Sequence, residues 1–125
     1  MDKLVAAHRA AIDVEGAGFA PAADNLVRRV RLPTLEGDVA AHMCAGGFFL
    51  EYADASLDAL GAVATRAYQT VTTIGIDPQS VAAELVRIGA RGVDRIVPCG
   101  RAAAFGAFWD GYDLISQMSR HIHVE

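Results

Sequence analysis

The sequence predicts an α/β fold, a small and partly parallel layered sheet with flanking helices. From residue 47 onward, candidate strands alternate with candidate helices, which is typical of such a sheet. The run TVTTIGI at 70–76 is dense in β-branched residues and predicts a strand. Asp77 and Pro78 then form a strong helix start, because the aspartate accepts hydrogen bonds from backbone N–H groups. The chain has 125 residues, 53% of them hydrophobic, so we expect one domain over 1–125 or a fragment of one.

The first half of the chain gives weaker signals. Leu4, Val5, His8 and Ile12 lie one and two turns apart, which predicts an amphipathic helix over 4–12 with these residues on its apolar face. LVRRVRL, followed by Pro33, predicts a strand at a sheet edge. Residues 47–53, GFFLEYA, predict a second strand. A helix should then run from Ser56 to about Tyr68.

In the second half, the helix that starts at Asp77 should bury Val81, Leu85 and Ile88 and end at Gly89. VDRIVP predicts the next strand, which ends at a proline that cannot donate to a ladder. A last helix is predicted from near Asp110, with Asp110 as its cap, and its buried residues should be Leu114, Ile115 and Met118. HIHVE at 121–125 predicts a terminal strand.

Charge and hydropathy exclude two classes of partner. The formal net charge is −4, and the basic residues are scattered except for RRVR at 28–31, so we expect no nucleic-acid partner. No apolar run approaches the roughly 20 residues that span a bilayer. The first 18 residues are interrupted by charges where a secretory signal would be apolar. We therefore expect a cytoplasmic protein with no membrane partner.

The two cysteines fit neither a disulfide framework nor a zinc signature. Cys99 follows a predicted strand, and the neighbouring Arg101 would favour its thiolate, so Cys99 is either a nucleophile or a small residue in a tight turn. Cys44 lies two residues after His42, but in cysteine–histidine couples the base ordinarily comes from elsewhere in the fold. No metal site is predicted, because His121 and His123 lack a third ligand.

The segment FWDGYDL at 108–114 is the most specific feature of the sequence. Trp109 supplies a large apolar surface, Asp110 suits a helix cap, and Gly111 permits a backbone that other residues resist. A structural helix entry explains these residues. It does not explain why Cys99 and Arg101 precede them in the same loop.

Three segments together resemble the long-chain acyl-CoA reductases of the aldehyde dehydrogenase superfamily, which include the fatty-acid reductases of bacterial bioluminescence. They are GGFFLEY, QTVTTIGID and GVDRIVPCGRAAAFGAFWDGYDLI. The likeness covers residues 25–125, the C-terminal region of the family, and is firmest over 69–120. It implies a fold similar to the C-terminal part of an aldehyde dehydrogenase-like catalytic domain.

The resemblance also implies a chemistry. In this family a cysteine thiolate attacks the acyl-CoA thioester and releases CoA, and hydride from NADPH then gives the fatty aldehyde. The family's nucleophile lies upstream of GGFFLEY and its cofactor lies on a separate domain, so we expect neither a catalytic nor a cofactor-binding residue in this chain. By resemblance the substrate-binding residues are Cys99, Gly100, Arg101, Trp109 and Asp110.

A chain of this length is expected to be a C-terminal fragment or a split subunit, inactive alone. Its expected partners are the missing cofactor-binding part, acyl-CoA and further copies of itself. The alternative is a non-catalytic interaction or oligomerisation module that uses exposed strand edges and apolar patches. A third possibility is a thiol-dependent acyltransferase that uses Cys99.

Overall fold

The computed structural model describes residues 2–22, 24–36, 38–44 and 46–125, with only the backbone of residue 62. The chain divides into two compact units, an N-terminal unit Met1–Val63 and a C-terminal unit Ala64–Glu125. The elements, in chain order, are α1 (Asp2–Asp13), β1 (Gly18–Phe19), β2 (Arg28–Arg31), a 3₁₀ turn (Val39–His42), β3 (Phe48–Glu51), α2 (Asp58–Val63), β4 (Thr70–Thr73), α3 (Pro78–Arg87), β5 (Arg95–Pro98), β6 (Phe108–Trp109), β7 (Tyr112–Asp113) and α4 (Leu114–Met118).

A three-stranded sheet in the order β1–β2–β3 organises the N-terminal unit. β2 pairs antiparallel with β1, where Gly18 lies opposite Arg31, and parallel with β3, where Arg28 lies opposite Phe48. The prediction of an edge strand at RRVR was therefore wrong. β2 is the central strand of the sheet. Its fully buried residue is Val30, which lies between the exposed Arg29 and Arg31.

Helix α1 forms where the sequence predicts it, but with a different buried face. The buried residues are Ala7 and Ala10, while Leu4, Val5 and Ile12 are exposed. The small alanines belong to the same core cluster as Val30 and Leu32. A helix can pack close to a sheet only where its side chains are small. The alanine face of α1 is therefore buried, and the face with the larger apolar residues is exposed.

Helix α2 ends at Val63, and the predicted extension to Tyr68 was wrong. The carbonyl of Ala64 accepts from the N–H groups of Arg91 and Gly92, and that of Thr65 accepts from Tyr68. These bonds use the carbonyls that a longer helix would have kept for itself.

The C-terminal unit is built on the parallel pair β4–β5, with Thr70 opposite Arg95 and Thr73 opposite Pro98. Helix α3 connects the two strands, as predicted. Its cap is Asp77, whose carboxylate accepts from the N–H and the hydroxyl of Ser80, both at 2.9 Å. Val81 and Leu85 are buried, and Ile88 is half-buried. Gly89 follows with φ 68°, the left-handed conformation typical of a helix end.

Just before β5, the backbone at Gly92 passes very close to the backbone at Thr65 and Tyr68. A side chain on Gly92 would overlap the carbonyls of Thr65 and Tyr68. Val93 has φ 65°, which is unfavourable for a β-branched residue, and its N–H donates to the carbonyl of Tyr68 at 2.6 Å. The close approach at Gly92 therefore fixes how the chain enters β5.

The end of the chain differs from the prediction. Residues 108–113 form a hairpin, and helix α4 starts at Leu114 with Asp113 as its cap. Leu114 is half-buried, but Ile115 and Met118 are 66% and 85% exposed, so the predicted buried face is wrong for those two residues. Residues 121–125 form no strand and are exposed.

The α/β class with small, partly parallel sheets and flanking helices is confirmed, but the strands in the described part of the chain form three separate sheets instead of one. Within the described residues, no helix is long and apolar enough to cross a membrane.

Candidate functional site

The candidate site lies at the carboxyl end of the parallel pair β4–β5. The backbone N–H of Cys99 donates to the carbonyl of Thr73 at 3.0 Å, which extends the pairing of the strands by one bond. Cys99 is thus the first residue of the loop that leaves β5. In open α/β sheets, ligand sites occur beyond this end of the strands.

Residues 98–101 form a β-turn. The N–H of Arg101 donates to the carbonyl of Pro98 at 3.0 Å, and Gly100 has φ 85° at the third position, which is type II geometry. Cys99 occupies the second position and is exposed. A side chain at Gly100 would meet no atom within 4 Å. The glycine is required by the turn, and the surface above it is open.

Arg95 organises the loop that follows this turn. Its guanidinium donates to the carbonyl of Ala102 at 2.7 Å, to that of Arg101 at 3.4 Å, and to that of Ala104. Because the planar guanidinium binds three carbonyls at once, it fixes the backbone of residues 101–104. The loop is therefore braced by a strand residue.

Trp109 covers the same guanidinium. The Arg95 Cζ atom lies 4.8 Å from the centroid of the Trp109 ring, a cation–π arrangement. The centroids of the Trp109 and Phe105 rings are 5.4 Å apart, and the two rings are tilted by 34°. Arg95, Trp109 and Phe105 thus form one stack, which joins β5, the loop and the hairpin.

Asp110 and Gly111 form the turn of the hairpin. Their φ angles are 53° and 80°, and two positive φ values between paired strands define a type I′ turn, for which Asp-Gly is a favoured pair. The prediction that Asp110 caps the last helix was wrong. Asp113 takes that role and accepts from the hydroxyl of Ser116 at 2.6 Å and from two backbone N–H groups. The Ser116 hydroxyl, followed by those backbone bonds, lowers the pKa of Asp113.

Arg101 and Cys99 remain as the polar groups that this architecture does not use. The Arg101 side chain is exposed, and no residue in the described part of the chain offers an acceptor to its guanidinium. Of the five predicted substrate-binding residues, Gly100, Trp109 and Asp110 have structural roles. Cys99 and Arg101 occupy the same exposed turn, with the Arg95–Trp109 stack beside it.

An apolar groove of about 500 Å³ adjoins the stack. Phe105 forms one wall and is 79% exposed, and helix α4 forms the other through Leu114, Ile115 and Met118. The lining includes no charged side chain. The groove therefore suits an uncharged, apolar occupant.

The N-terminus of helix α3 already carries a negative group. The helix that follows β4 would be the natural place for a pyrophosphate, but the carboxylate of Asp77 already accepts the N–H of Ser80 there. A second negative group at that position would be repelled. For metals, the described residues contain no group of three or more His, Cys, Asp or Glu side chains that could hold an ion.

Arg95 is the residue that sequence reasoning missed. As a local pattern RIVP predicts a strand, and its arginine gives no further signal than a cation within an apolar run. The hairpin at FWDGYD did carry a signal, because Asp-Gly between aromatic residues is a recognised type I′ sequence.

Comparisons with protein-family models, with curated proteins and with solved structures found no match to this chain.

Proposed function

We propose that this chain is the C-terminal part of a cytoplasmic, NADPH-dependent long-chain acyl-CoA reductase, and that its loop at 99–110 lines the acyl-CoA site. The reactive cysteine and the nicotinamide cofactor belong to another polypeptide segment. This chain binds and orients the substrate and supplies no atom to acyl or hydride transfer.

The observation that carries the proposal is the exposed Arg101 guanidinium on a braced turn at the carboxyl end of β5. Arginine matches the geometry of phosphate oxygens, and CoA carries several phosphates. The Arg95 contacts hold the loop before any ligand arrives, which lowers the ordering cost of binding. Gly100 leaves open space beside Arg101, where a pantetheine chain has room to approach.

The apolar surroundings support an acyl chain as the second half of the ligand. Trp109 contacts Phe105, and Phe105 lines the groove on helix α4. In this arrangement Arg101 binds a CoA phosphate, Cys99 and Gly100 border the pantetheine, and Trp109 borders the acyl chain. Asp110 keeps Trp109 in place through the hairpin turn.

The isolation of the parallel pair supports the idea of a missing segment. Parallel sheets are ordinarily covered on both faces and contain more strands, but among the residues that the structure describes β4 and β5 pair only with each other. Ile74 and Val86 are 79% and 81% exposed. These side chains would be buried by the nucleotide-binding part of a complete reductase.

The proposal is tested with a reconstituted pair, in which a cysteine-bearing, nucleotide-binding segment of a long-chain acyl-CoA reductase is co-expressed with this chain. We expect Arg101→Met to weaken tetradecanoyl-CoA binding about tenfold, equivalent to about 1.4 kcal/mol. The matched control is Arg120→Met, which changes an exposed arginine near the end of the chain. Equal affinity in the Arg101 variant and the control would refute the assigned role.

A non-catalytic interaction module is the second candidate. The observation that favours it is the same exposed apolar surface, because such patches also mark protein interfaces. This reading predicts a stable complex with a partner but no effect of Arg101→Met on acyl-CoA binding, so the same experiment separates the two functions.

A further inference from the structure

Strand β3 is an open edge of the N-terminal sheet. β2 lies on one side of it, and none of the strands in the described part of the chain lies on the other. The bonds to β2 include the carbonyls of Gly47 and Glu51, which accept from the N–H groups of Arg28 and Leu32. Because the backbone polar groups of a strand point alternately to its two sides, every second residue of β3, counted from Gly47, faces β2.

Phe48 and Leu50 are the residues of β3 whose backbone groups face away from β2. Within the described residues, no backbone bond reaches these N–H and carbonyl groups from the outer side. Their side chains pack against the buried cluster of the N-terminal unit. Phe49 points to the opposite face of the sheet and is 52% exposed. An unpaired row of backbone groups beside apolar side chains is a template for a further strand.

The other strand edges are less suited to such pairing. β1, β6 and β7 span two residues each, and short edge strands resist pairing. Pro98 occupies an outward position of β5 and has no N–H to donate. The outward residues of β4 are Thr70 and Thr72, which are exposed and add little apolar contact. Among the described strands, β3 therefore offers the most favourable edge.

We propose that β3 pairs antiparallel with β3 of a second copy of the chain, around a two-fold axis beside Phe49. Phe48 of each copy then lies opposite Leu50 of the other, and the two residues exchange both backbone hydrogen bonds. The two Phe49 side chains meet between these pairs, at the close spacing of a non-hydrogen-bonded pair. The dimer has one continuous sheet, which joins the three strands of each copy.

Charge favours the antiparallel direction. At the start of β3, the Lys3 ammonium donates to the carbonyl of Leu26 and lies 3.9 Å from the Cβ position of Gly47. At the end of β3 lies the carboxylate of Glu51, which accepts from Arg29. In the antiparallel register Glu51 of one copy lies opposite Gly47 of the other, so each end of the interface joins a carboxylate to an ammonium group. A parallel pairing would bring like charges together instead.

The oligomeric state tests the pairing. The chain with Phe105→Ser and Met118→Ser is used, so that the apolar groove of the C-terminal unit does not contribute to association. We expect a dimer in sedimentation equilibrium, with a dissociation constant of roughly 10 to 100 μM because the interface is small. A chain that is still monomeric at about 1 mM would overturn the proposal and favour a strand of another protein at this edge. The measurement needs no acyl-CoA, so its failure leaves the proposed function standing.

Opposite charges at position 49 test the two-fold register. Phe49→Lys and Phe49→Glu should each weaken the dimer by about tenfold or more, because like charges then face each other across the axis. An equimolar mixture of the two variants should restore the dimer, since opposite charges meet. The matched control is Phe19→Lys, which changes a residue that is 50% exposed on β1, and it should dimerise like the parent chain. If both Phe49 variants are folded by circular dichroism and their mixture stays monomeric, the proposal is overturned.

Discussion

The Cζ atom of Arg95 lies 4.8 Å from the centroid of the Trp109 ring while the same guanidinium bonds the carbonyls of residues 101, 102 and 104. One side chain of β5 therefore fixes both the loop that leaves the strand and the hairpin that follows. The exposed turn with Cys99 and Arg101 depends on this contact for its position.

Replacing Arg95 should loosen the loop. Arg95→Met removes the donors of three carbonyls and the cation over Trp109, so we expect a loss of about 2 kcal/mol in the free energy of unfolding. Trp109 is the only tryptophan, and its fluorescence spectrum should report the loss of the stack directly. Arg101→Met is the control and should leave both the stability and the emission unchanged. An Arg95→Met variant with an unchanged emission spectrum would contradict the contact between Arg95 and Trp109.

Gly92 should tolerate no side chain. In Gly92→Ala the new Cβ would overlap the Thr65 carbonyl, and because the obstacle is backbone the structure must shift, at a cost of about 3 kcal/mol. Gly106→Ala is the matched control, since its nearest atom would be the Phe108 oxygen at 3.9 Å. Urea unfolding measures both. Equal stability of the two variants would contradict the close approach of the Gly92 backbone to the Thr65 carbonyl.

Acid should weaken the C-terminal unit through Asp77. The Ser80 hydroxyl, followed by the Ser80 backbone N–H, lowers the pKa of Asp77 below its ordinary value. Because the folded-state pKa is depressed, the contribution of this cap is complete above the ordinary aspartate pKa and is lost as pH falls through the folded pKa. Thermal unfolding between neutral and acid pH should therefore show a smaller acid loss in Asp77→Asn than in the original chain. If the thermal stability of both proteins falls equally with pH, the Asp77 cap is not a source of the pH dependence.

The apolar groove should drive self-association of the isolated chain. Phe105 and Met118 are 79% and 85% exposed, and surfaces of this kind associate in water. Sedimentation equilibrium should show concentration-dependent oligomers that the double change Phe105→Ser and Met118→Ser reduces. Ile12→Ser, which removes a residue exposed to the same degree in the N-terminal unit, should have little effect. A monomer at all concentrations would contradict this prediction.

Local signals in the sequence predicted part of the fold. The strand at 70–73 follows from its β-branched residues, and the start of α3 follows from Asp77 and Pro78, because both depend on near neighbours in the chain. The central position of β2 was not predictable, because it depends on pairing Arg28 with Phe48 across twenty residues. The end of α2 was missed for a similar reason, since the Ala64 carbonyl bonds to Arg91 and Gly92.

The candidate site was predictable in its location but not in its construction. A strand followed by Pro98, Cys99 and Gly100 indicates a turn at the end of β5, and the structure has one. The brace by Arg95 could not be predicted, because the carbonyls that it binds come from an irregular loop without a periodic pattern.

The most direct test of the proposed reductase is a comparison of tetradecanoyl-CoA-dependent NADPH oxidation by this chain alone and by the reconstituted pair with a cysteine-bearing, nucleotide-binding segment. We expect no oxidation by the chain alone, no oxidation by the segment alone, and turnover with aldehyde formation by the pair. Turnover by the isolated chain, or a stable co-purified pair without turnover, would contradict the proposed function.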